Sequence, residues 1–163
     1  MHITIVVLNA LLRDSEILLL KRAKAPYKDY WTMPGGKIKP GEHIEDAALR
    51  ELKEETAITA EFVGIRGIAS EVLHRENGRK KAHFLMFVCE LKPKQKEFVE
   101  SNEGALKWFK ISEIKKPNGK VFPSDWKMLN EFVFGEKARL KVHKIRVNEK
   151  KADYEMESFS CEQ

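Results

Sequence analysis

The chain has 163 residues, of which 42% are hydrophobic and 34% are charged, and this is typical of one globular domain with its own core. Its two cysteines, Cys89 and Cys161, are too few for a disulfide framework and match no zinc-ligand spacing, so we expect a reducing, cytoplasmic environment. We expect neither a membrane span nor a signal peptide. The formal net charge of +5 is spread along the chain, which suits an ordinary solvated surface or attraction to a phosphorylated ligand.

The first half of the chain predicts two strands, a loop and a helix. Residues 2–12 and 17–22 have the composition of strands and are joined by a polar turn. The segment from Pro26 to Gly41 is rich in turn-forming residues. A helical pattern then extends from His43 to about Thr56.

The second half predicts further strands and one more helix. Residues 60–73 and 80–91 form a strand pair closed at Asn77-Gly78, which is the strongest short hairpin signal. Both faces of the second strand are largely apolar, which indicates a buried central strand. The remaining elements are a short strand at 105–110, a helix from Pro123 to Phe134 and a basic strand at about 138–147.

Strand pairs flanked by two helices predict a single sheet covered on both sides. We expect residues 1–150 to form one domain and residues 151–163 to form a frayed tail.

The first helix carries an unusual charge pattern near its end. Glu51, Glu54 and Glu55 lie together beside an apolar stripe, where they repel one another and oppose the helix dipole. A divalent cation would turn this repulsion into attraction, because Mg²⁺ takes carboxylate oxygens as ligands. Alone, the three glutamates could equally be a solvated face. The upstream pair Gly35-Gly36, where a backbone can approach a ligand closely, favours a phosphate and metal site.

These residues resemble the box of the Nudix hydrolase family. Eight of the nine specified positions of that box match in residue type and spacing: Gly36, Glu42, Arg50, Glu51, Leu52, Glu54, Glu55 and Ile58. Ala57 stands where the family usually has glycine, and we expect it to tilt the helix exit without removing a ligand. The resemblance extends to about residue 147 and is weak after the box.

The resemblance implies an α+β fold, namely an α/β/α sandwich with a mixed sheet, in which the box forms a loop-helix-loop. It also implies that Mg²⁺, or Mn²⁺ as a substitute, is held by Glu51, Glu54, Glu55 and the Gly35 carbonyl. Arg50 would orient a glutamate by a charge-assisted hydrogen bond, and Glu42 would brace the loop.

Hydrolysis of a diphosphate requires a water made nucleophilic and a carboxylate to accept its proton. Our first candidate for this base is Glu51. In this family the base can also lie outside the box, and Glu103 is the outside candidate. Glu103 could equally be an ordinary loop carboxylate.

The substrate implied is a small nucleotide. Lys37 and the segment Phe122–Trp126 resemble the MutT-like branch, which hydrolyses oxidised purine nucleoside triphosphates. The box is not followed closely by a proline or a tyrosine, which disfavours the ADP-ribose and dinucleoside polyphosphate branches. Asp125 could read the base or cap its helix, Arg22 would hold outer phosphates, and Gly36 would lie against them.

Two alternatives stay open. One is a hydrolase of ADP-ribose or another nucleotide sugar, and the other is a non-catalytic nucleotide- or RNA-binding module with the same fold. No aromatic residues cluster within a basic stripe, so nucleic acid is not the expected partner. The oligomeric state is open, a homodimer included. The three tryptophans, Trp31, Trp108 and Trp126, are expected in the core or the pocket wall, where one could stack on a base.

Overall fold

The computed structural model describes residues 1–114, 120–135, 141–150 and 153–161. Its strands are Ile3–Arg13 (β1), Glu16–Arg22 (β2), Trp31–Thr32 (β3), Gly35–Lys37 (β4), Ala60–His74 (β5), Lys80–Pro93 (β6), Gly104–Lys110 (β7), Lys141–Lys150 (β8) and Asp153–Cys161 (β9). Its helices are Ile44–Thr56 (α1), Ile111–Ile114 (α2) and Pro123–Met128 (α3), and α3 continues into a π-helical turn at Leu129–Val133. No helix in these ranges is long and apolar enough to cross a membrane.

All the strands join one mixed sheet, in the order β3-β2-β1-β6-β5-β8-β9. Strand β4 pairs with β1, and β7 pairs with β2. The β1–β6 and β5–β8 pairs are parallel and the other pairs are antiparallel. Strand β6 lies at the centre, as its two apolar faces predicted. A mixed sheet with a few helices is the predicted fold class.

Helices cover both faces of this sheet, because the side chains of a strand point alternately to opposite faces. On β1, Val7 and Leu11 belong to the apolar cluster that contains the buried side of α1. Val6 and Ala10 belong to a second cluster, formed with α3 and its π-helical turn. The sandwich therefore has two cores, one on each face of β1.

A buried amide fixes the position of α1 and of the loop that precedes it. The Asn9 side chain on β1 donates from Nδ2 to the Ala48 carbonyl at 2.9 Å, and its backbone N–H donates to the Pro34 carbonyl at 2.7 Å. Both groups are donors, and buried donors need such acceptors, whereas the Asn9 Oδ1 has no hydrogen-bond partner among the described residues. Asn9 consequently ties the loop and α1 to one point of the sheet.

The predicted frayed tail is wrong for residues 153–161. These residues form β9, which pairs antiparallel with β8. Tyr154, Met156 and Phe159 are partly buried against the core, and their burial stabilises the strand despite the intervening acidic residues. The basic strand predicted at 138–147 is present from Lys141 onward and continues to Lys150, while residues 138–140 lie outside the described ranges.

The last predicted helix begins at Pro123 as expected, but its second half is π-helical. Phe132, in that turn, packs on Gly67 of β5, where an added Cβ would lie 2.4 Å from the ring. The structure also contains β3, β4 and α2, which the sequence pattern did not indicate. They are only two to four residues long, too short for a periodic pattern to be visible.

Helix α1 ends at Ala57 in a left-handed conformation. Its φ is 59° and its N–H donates to the Lys53 carbonyl at 2.9 Å, which is a C-terminal cap that glycine adopts without strain. Alanine is strained at this φ, because its Cβ comes too close to the following carbonyl oxygen. This explains why the family favours glycine here, and it agrees with the expectation that Ala57 affects the helix exit.

We therefore expect Ala57→Gly to raise the free energy of unfolding by roughly 0.5–1 kcal/mol, because relief of strain outweighs the greater freedom of the unfolded chain. Ala57→Val should lower it, because a β-branched side chain is least tolerated at positive φ. Urea denaturation of both variants checks this. A glycine variant less stable than wild type would contradict the strain at this position.

Candidate active site

A cavity of about 580 Å³ lies between the loop at residues 22–37, helix α1 and the start of α3. It brings together every predicted site residue except Arg50: Arg22, Gly35, Gly36, Lys37, Glu51, Glu54, Glu55, Glu103 and Asp125. Four separate parts of the chain thus supply the predicted site. Arg50 lies behind the glutamates and contacts them.

The guanidinium of Arg50 connects the loop to α1. Its Nε and one terminal nitrogen bind both oxygens of Glu42, at 2.6 and 2.9 Å. The other terminal nitrogen donates to Glu51 at 2.6 Å and to Glu54 at 3.2 Å. These contacts raise the pKa of Arg50, the bond to Glu42 most strongly, and they lower the pKa of Glu42 to about 2. The planar fork of arginine suits this bidentate pairing.

Glu42 also accepts a hydrogen bond from the Lys39 N–H at 2.9 Å, and Arg50 donates to the Lys37 carbonyl at 3.1 Å. The carboxylate and the guanidinium together hold both sides of the loop.

Both glycines of the loop are required by close contacts. A Cβ on Gly35 would lie 2.1 Å from the Val7 carbonyl oxygen, and one on Gly36 would lie 2.4 Å from the Glu51 carboxyl carbon. The first contact is with the backbone and excludes any side chain, whereas the second would force the Glu51 side chain to move. The Gly36 backbone therefore passes directly against Glu51, which is the close approach that the glycine pair predicted.

Glu55 is the buried member of the glutamate cluster. Its carboxylate accepts a hydrogen bond from the Gly35 N–H at 2.8 Å. Its pKa is raised to about 8, mainly by burial. The charge of Glu51 also contributes to this increase, whereas the Gly35 N–H and Arg22 act in the opposite direction. An acid in this position is costly to ionise unless a cation accompanies it.

The glutamate cluster fits a hard divalent cation by donor chemistry. In the ranges that the structure describes, no three His, Cys, Asp or Glu side chains are already arranged to hold a metal ion. Glu51 and Glu54 are bound to Arg50, and Glu55 is bound to Gly35. The side chain of Glu54 is 55% exposed, so it is free to turn from Arg50 toward a cation.

Asp125 lines the same cavity from the start of α3. It is buried in the first turn of α3 and accepts a hydrogen bond from the Met33 N–H at 2.7 Å. Of the two roles left open for it, the cap position of the helix belongs to Phe122. The pKa of Asp125 is raised to about 7, mainly by burial. Glu71 also contributes to this increase, whereas the Met33 N–H and Arg22 act in the opposite direction.

Arg22 and Glu103 also line the cavity. The Nε of Arg22 donates to the Pro26 carbonyl at 2.8 Å. Glu103 forms an ion pair with Lys24 at 3.0 Å, and its backbone carbonyl accepts from the Ala23 N–H at 2.8 Å. Glu103 therefore faces the cavity from the strand edge next to Arg22.

Of the two positions expected for the three tryptophans, the structure shows the core: all three are partly buried against the apolar clusters, and none lines the cavity. Trp31 packs against Phe109, with 5.0 Å between ring centroids, and the indoles of Trp108 and Trp126 donate to backbone carbonyls elsewhere. Tyr27 and Phe84 supply the aromatic wall instead. Phe84 and Met86 share one face of β6, so strand alternation could have paired them, whereas the turn-rich loop gave no signal for Tyr27.

Without metal, we expect Glu55→Gln to be more stable than wild type at pH 8 but not at pH 4.5. The folded pKa of Glu55 lies above its unfolded value, so ionisation destabilises the fold progressively from pH 4.5 to about pH 8. The gain at pH 8 should be on the order of a few kcal/mol. Urea denaturation in EDTA at both pH values measures it, and an equal gain at the two pH values would contradict the buried acid.

Comparisons with known proteins agree with this geometry. A family model described as NUDIX domain matches residues 2–132. The crystal structure of a mutator MutT protein from Bacillus halodurans is similar over 98% of this chain and 97% of its own, with a TM-score of 0.79 and 26% identity.

Two curated relatives match over shorter stretches. A putative 8-oxo-dGTP diphosphatase from Bacillus subtilis is 45% identical over 56 residues, which are 34% of each chain. An ADP-ribose pyrophosphatase from Methanocaldococcus jannaschii is 36% identical over 70 residues, which are 43% of this chain and 41% of that protein. The chain spans less than half the length of either relative.

Proposed function

The chain belongs to the Nudix family of hydrolases, which act on nucleoside diphosphate-linked substrates, and from this premise we propose that it cuts a purine nucleoside triphosphate, unmodified or oxidised, to the monophosphate and pyrophosphate. One observation carries the proposal. The wall of a single cavity contains both the glutamate cluster and the buried Asp125, and Arg22 lies near enough to both to lower the pKa of Glu55 and of Asp125. A nucleotide fits this arrangement, with its phosphates toward the glutamates and its base toward Asp125.

Members of the family generally use divalent metals, and we propose Mg²⁺ here, with Mn²⁺ as a substitute. The residues that would hold it are Glu51, Glu54, Glu55 and the Gly35 carbonyl. When bound, such a cation neutralises phosphate charge and makes a water more acidic. Of these residues, Glu51 is the one whose position Gly36 and Arg50 both restrict.

We propose Glu51 as the group that takes the proton from the attacking water, because a base must be held in place to act. Glu103 is the second candidate, and its ion pair with Lys24 would have to open before it could accept a proton. Arg50 would act through Glu51 by keeping the carboxylate in position, since it does not line the cavity.

At the other end, we propose that Asp125 reads the base. Its carboxyl is buried, lines the cavity and accepts a hydrogen bond from the Met33 N–H, and each carboxylate oxygen can accept more than one hydrogen bond. Arg22, with Lys37 at the cavity rim, would hold the outer phosphates. The similarity to a MutT protein over almost the whole chain supports a triphosphate.

Hydrolysis of ADP-ribose is the second candidate function, favoured by the pyrophosphatase relative. Both candidates use the same glutamate cluster and differ in what lies beyond the diphosphate. For either function, we propose that the protein acts in the cytoplasm, where a free cysteine such as the buried Cys89 stays reduced.

Hydrolysis should require a divalent cation. We expect activity to be lost in EDTA and restored by Mg²⁺ or Mn²⁺, and we expect Glu54→Gln to lower kcat by roughly tenfold or more, because an amide is a weaker ligand than a carboxylate. Lys53→Gln, an exposed neighbour on the same helix, is the matched control and should retain activity. Full turnover after complete chelation would disprove the role of the glutamates.

A panel of nucleoside triphosphates and ADP-ribose, with product identification, tests the substrate. Asp125→Ala should shift preference among bases by about 1–3 kcal/mol in kcat/KM, and Asp125→Asn should shift it less because it keeps an acceptor for Met33. Arg22→Ala should weaken triphosphate binding more than diphosphate binding. Cleavage of ADP-ribose to AMP and ribose phosphate, with triphosphates untouched, would replace the proposed substrate.

A further inference from the structure

Glu71 is an acid inside the core, one layer behind the cavity. It lies on β5 between Ala69 and Leu73, on the face that packs against α3, and it is 0% exposed. Its Oε1 accepts a hydrogen bond from the Tyr27 hydroxyl at 2.5 Å, and the Ser124 hydroxyl, in the first turn of α3, lies close enough to the carboxyl to lower its pKa. Burial raises the pKa of this carboxyl. Burying a carboxyl lowers the stability of the fold. A role for its contact with Tyr27 would account for its presence in the core.

Tyr27 is held unusually firmly for a loop residue. Its φ is 66°, a left-handed conformation that strains a side chain other than glycine. Its ring stacks on Phe122 with 3.9 Å between centroids and meets the edge of Tyr154 at 5.1 Å. Its hydroxyl is fixed by Glu71. Together these contacts hold a strained residue in one position on the cavity wall.

The charges around Tyr27 show which end of the cavity it forms. The acids that act on the Tyr27 hydroxyl are Glu71 and Asp125. Glu55, at the other end, is influenced by Glu51, Arg22 and Glu103 instead. Tyr27 therefore belongs to the end where Asp125 lies, which is the proposed site of the base.

We propose that Glu71 is a positioning residue, which fixes the Tyr27 wall through its hydrogen bond and so sets the preference of the cavity among nucleobases. Glu71 does not line the cavity, so it acts only through its neighbour. This inference rests on the proposed function, in that the Asp125 end receives a base. The C-terminal strand β9 contributes to the same wall through Tyr154.

The experiment compares four variants by kcat and KM for ATP, GTP, CTP and UTP. Glu71→Leu removes the acceptor and leaves the Tyr27 hydroxyl buried without a partner, but it also removes a buried acid, so the fold should persist. Glu71→Gln keeps an acceptor oxygen. Tyr27→Phe keeps the ring and removes the hydroxyl. Leu73→Ala damages the same face of β5 without touching the polar contact, and serves as the control.

We expect the purine-to-pyrimidine ratio of kcat/KM to fall by roughly tenfold in Glu71→Leu and Tyr27→Phe, mainly through KM, because the wall no longer has a fixed position. Glu71→Gln should restore most of the ratio. Leu73→Ala should lower the melting temperature and leave the ratio unchanged, which separates positioning from general loss of stability.

An unchanged ratio in Glu71→Leu and Tyr27→Phe, or a wild-type protein indifferent to the base, would overturn the inference. If the wild type leaves all four triphosphates uncut and cuts nucleoside diphosphate sugars instead, the proposed function fails, and the same comparison is made between ADP-ribose and UDP-ribose, which differ only in the base. A ratio that falls there in Glu71→Leu would still support the role of Glu71, and one that does not fall would refute it.

Discussion

The arrangement of the site depends on the contact between Arg50 and its three glutamates. Glu51, Glu54 and Glu55, near the end of α1, would repel one another, and the helix dipole would add to that repulsion. The guanidinium binds two of them, Glu51 and Glu54, together with Glu42 from the loop. It thereby offsets the repulsion and attaches the loop to α1. Because the contacts raise the pKa of Arg50, this cation stays charged throughout the range in which proteins are stable.

Much of the site could be predicted from the sequence because it is local. Gly36, Arg50 and Glu55 lie within one loop and one helix, so their spacing determines their geometry once the helix forms. The main strands and the central position of β6 could also be predicted, because the alternation of apolar residues is visible within each strand. The frayed tail was predicted wrongly, because the burial of Tyr154 depends on Tyr27 and Phe122, which lie far away in the sequence.

The opposite end of the cavity could not be predicted in this way. Tyr27, Glu71 and Asp125 come from a loop, a strand and a helix that meet only in the folded chain. Glu71 alternates with Ala69 and Leu73 on β5, so period two could have placed it in the core. Nothing in the sequence indicated that its partner would be a tyrosine from the loop. Local patterns thus predict the end of the cavity that carries the glutamates, and tertiary packing determines the end proposed to select the base.

The parallel pairing of β1 with β6 has a consequence for how the chain folds. Ile3 lies opposite His83 and Leu11 opposite Leu91, so the centre of the sheet joins segments separated by the loop, α1 and β5. Closing so long a stretch of chain is entropically costly before any contact repays it. The antiparallel β5–β6 hairpin can form from neighbouring residues, whereas β1 must wait for it. During synthesis, β1 can pair with β2 and β4, but the edge that pairs with β6 would remain uncovered until β6 has left the ribosome, and an uncovered apolar strand edge favours aggregation.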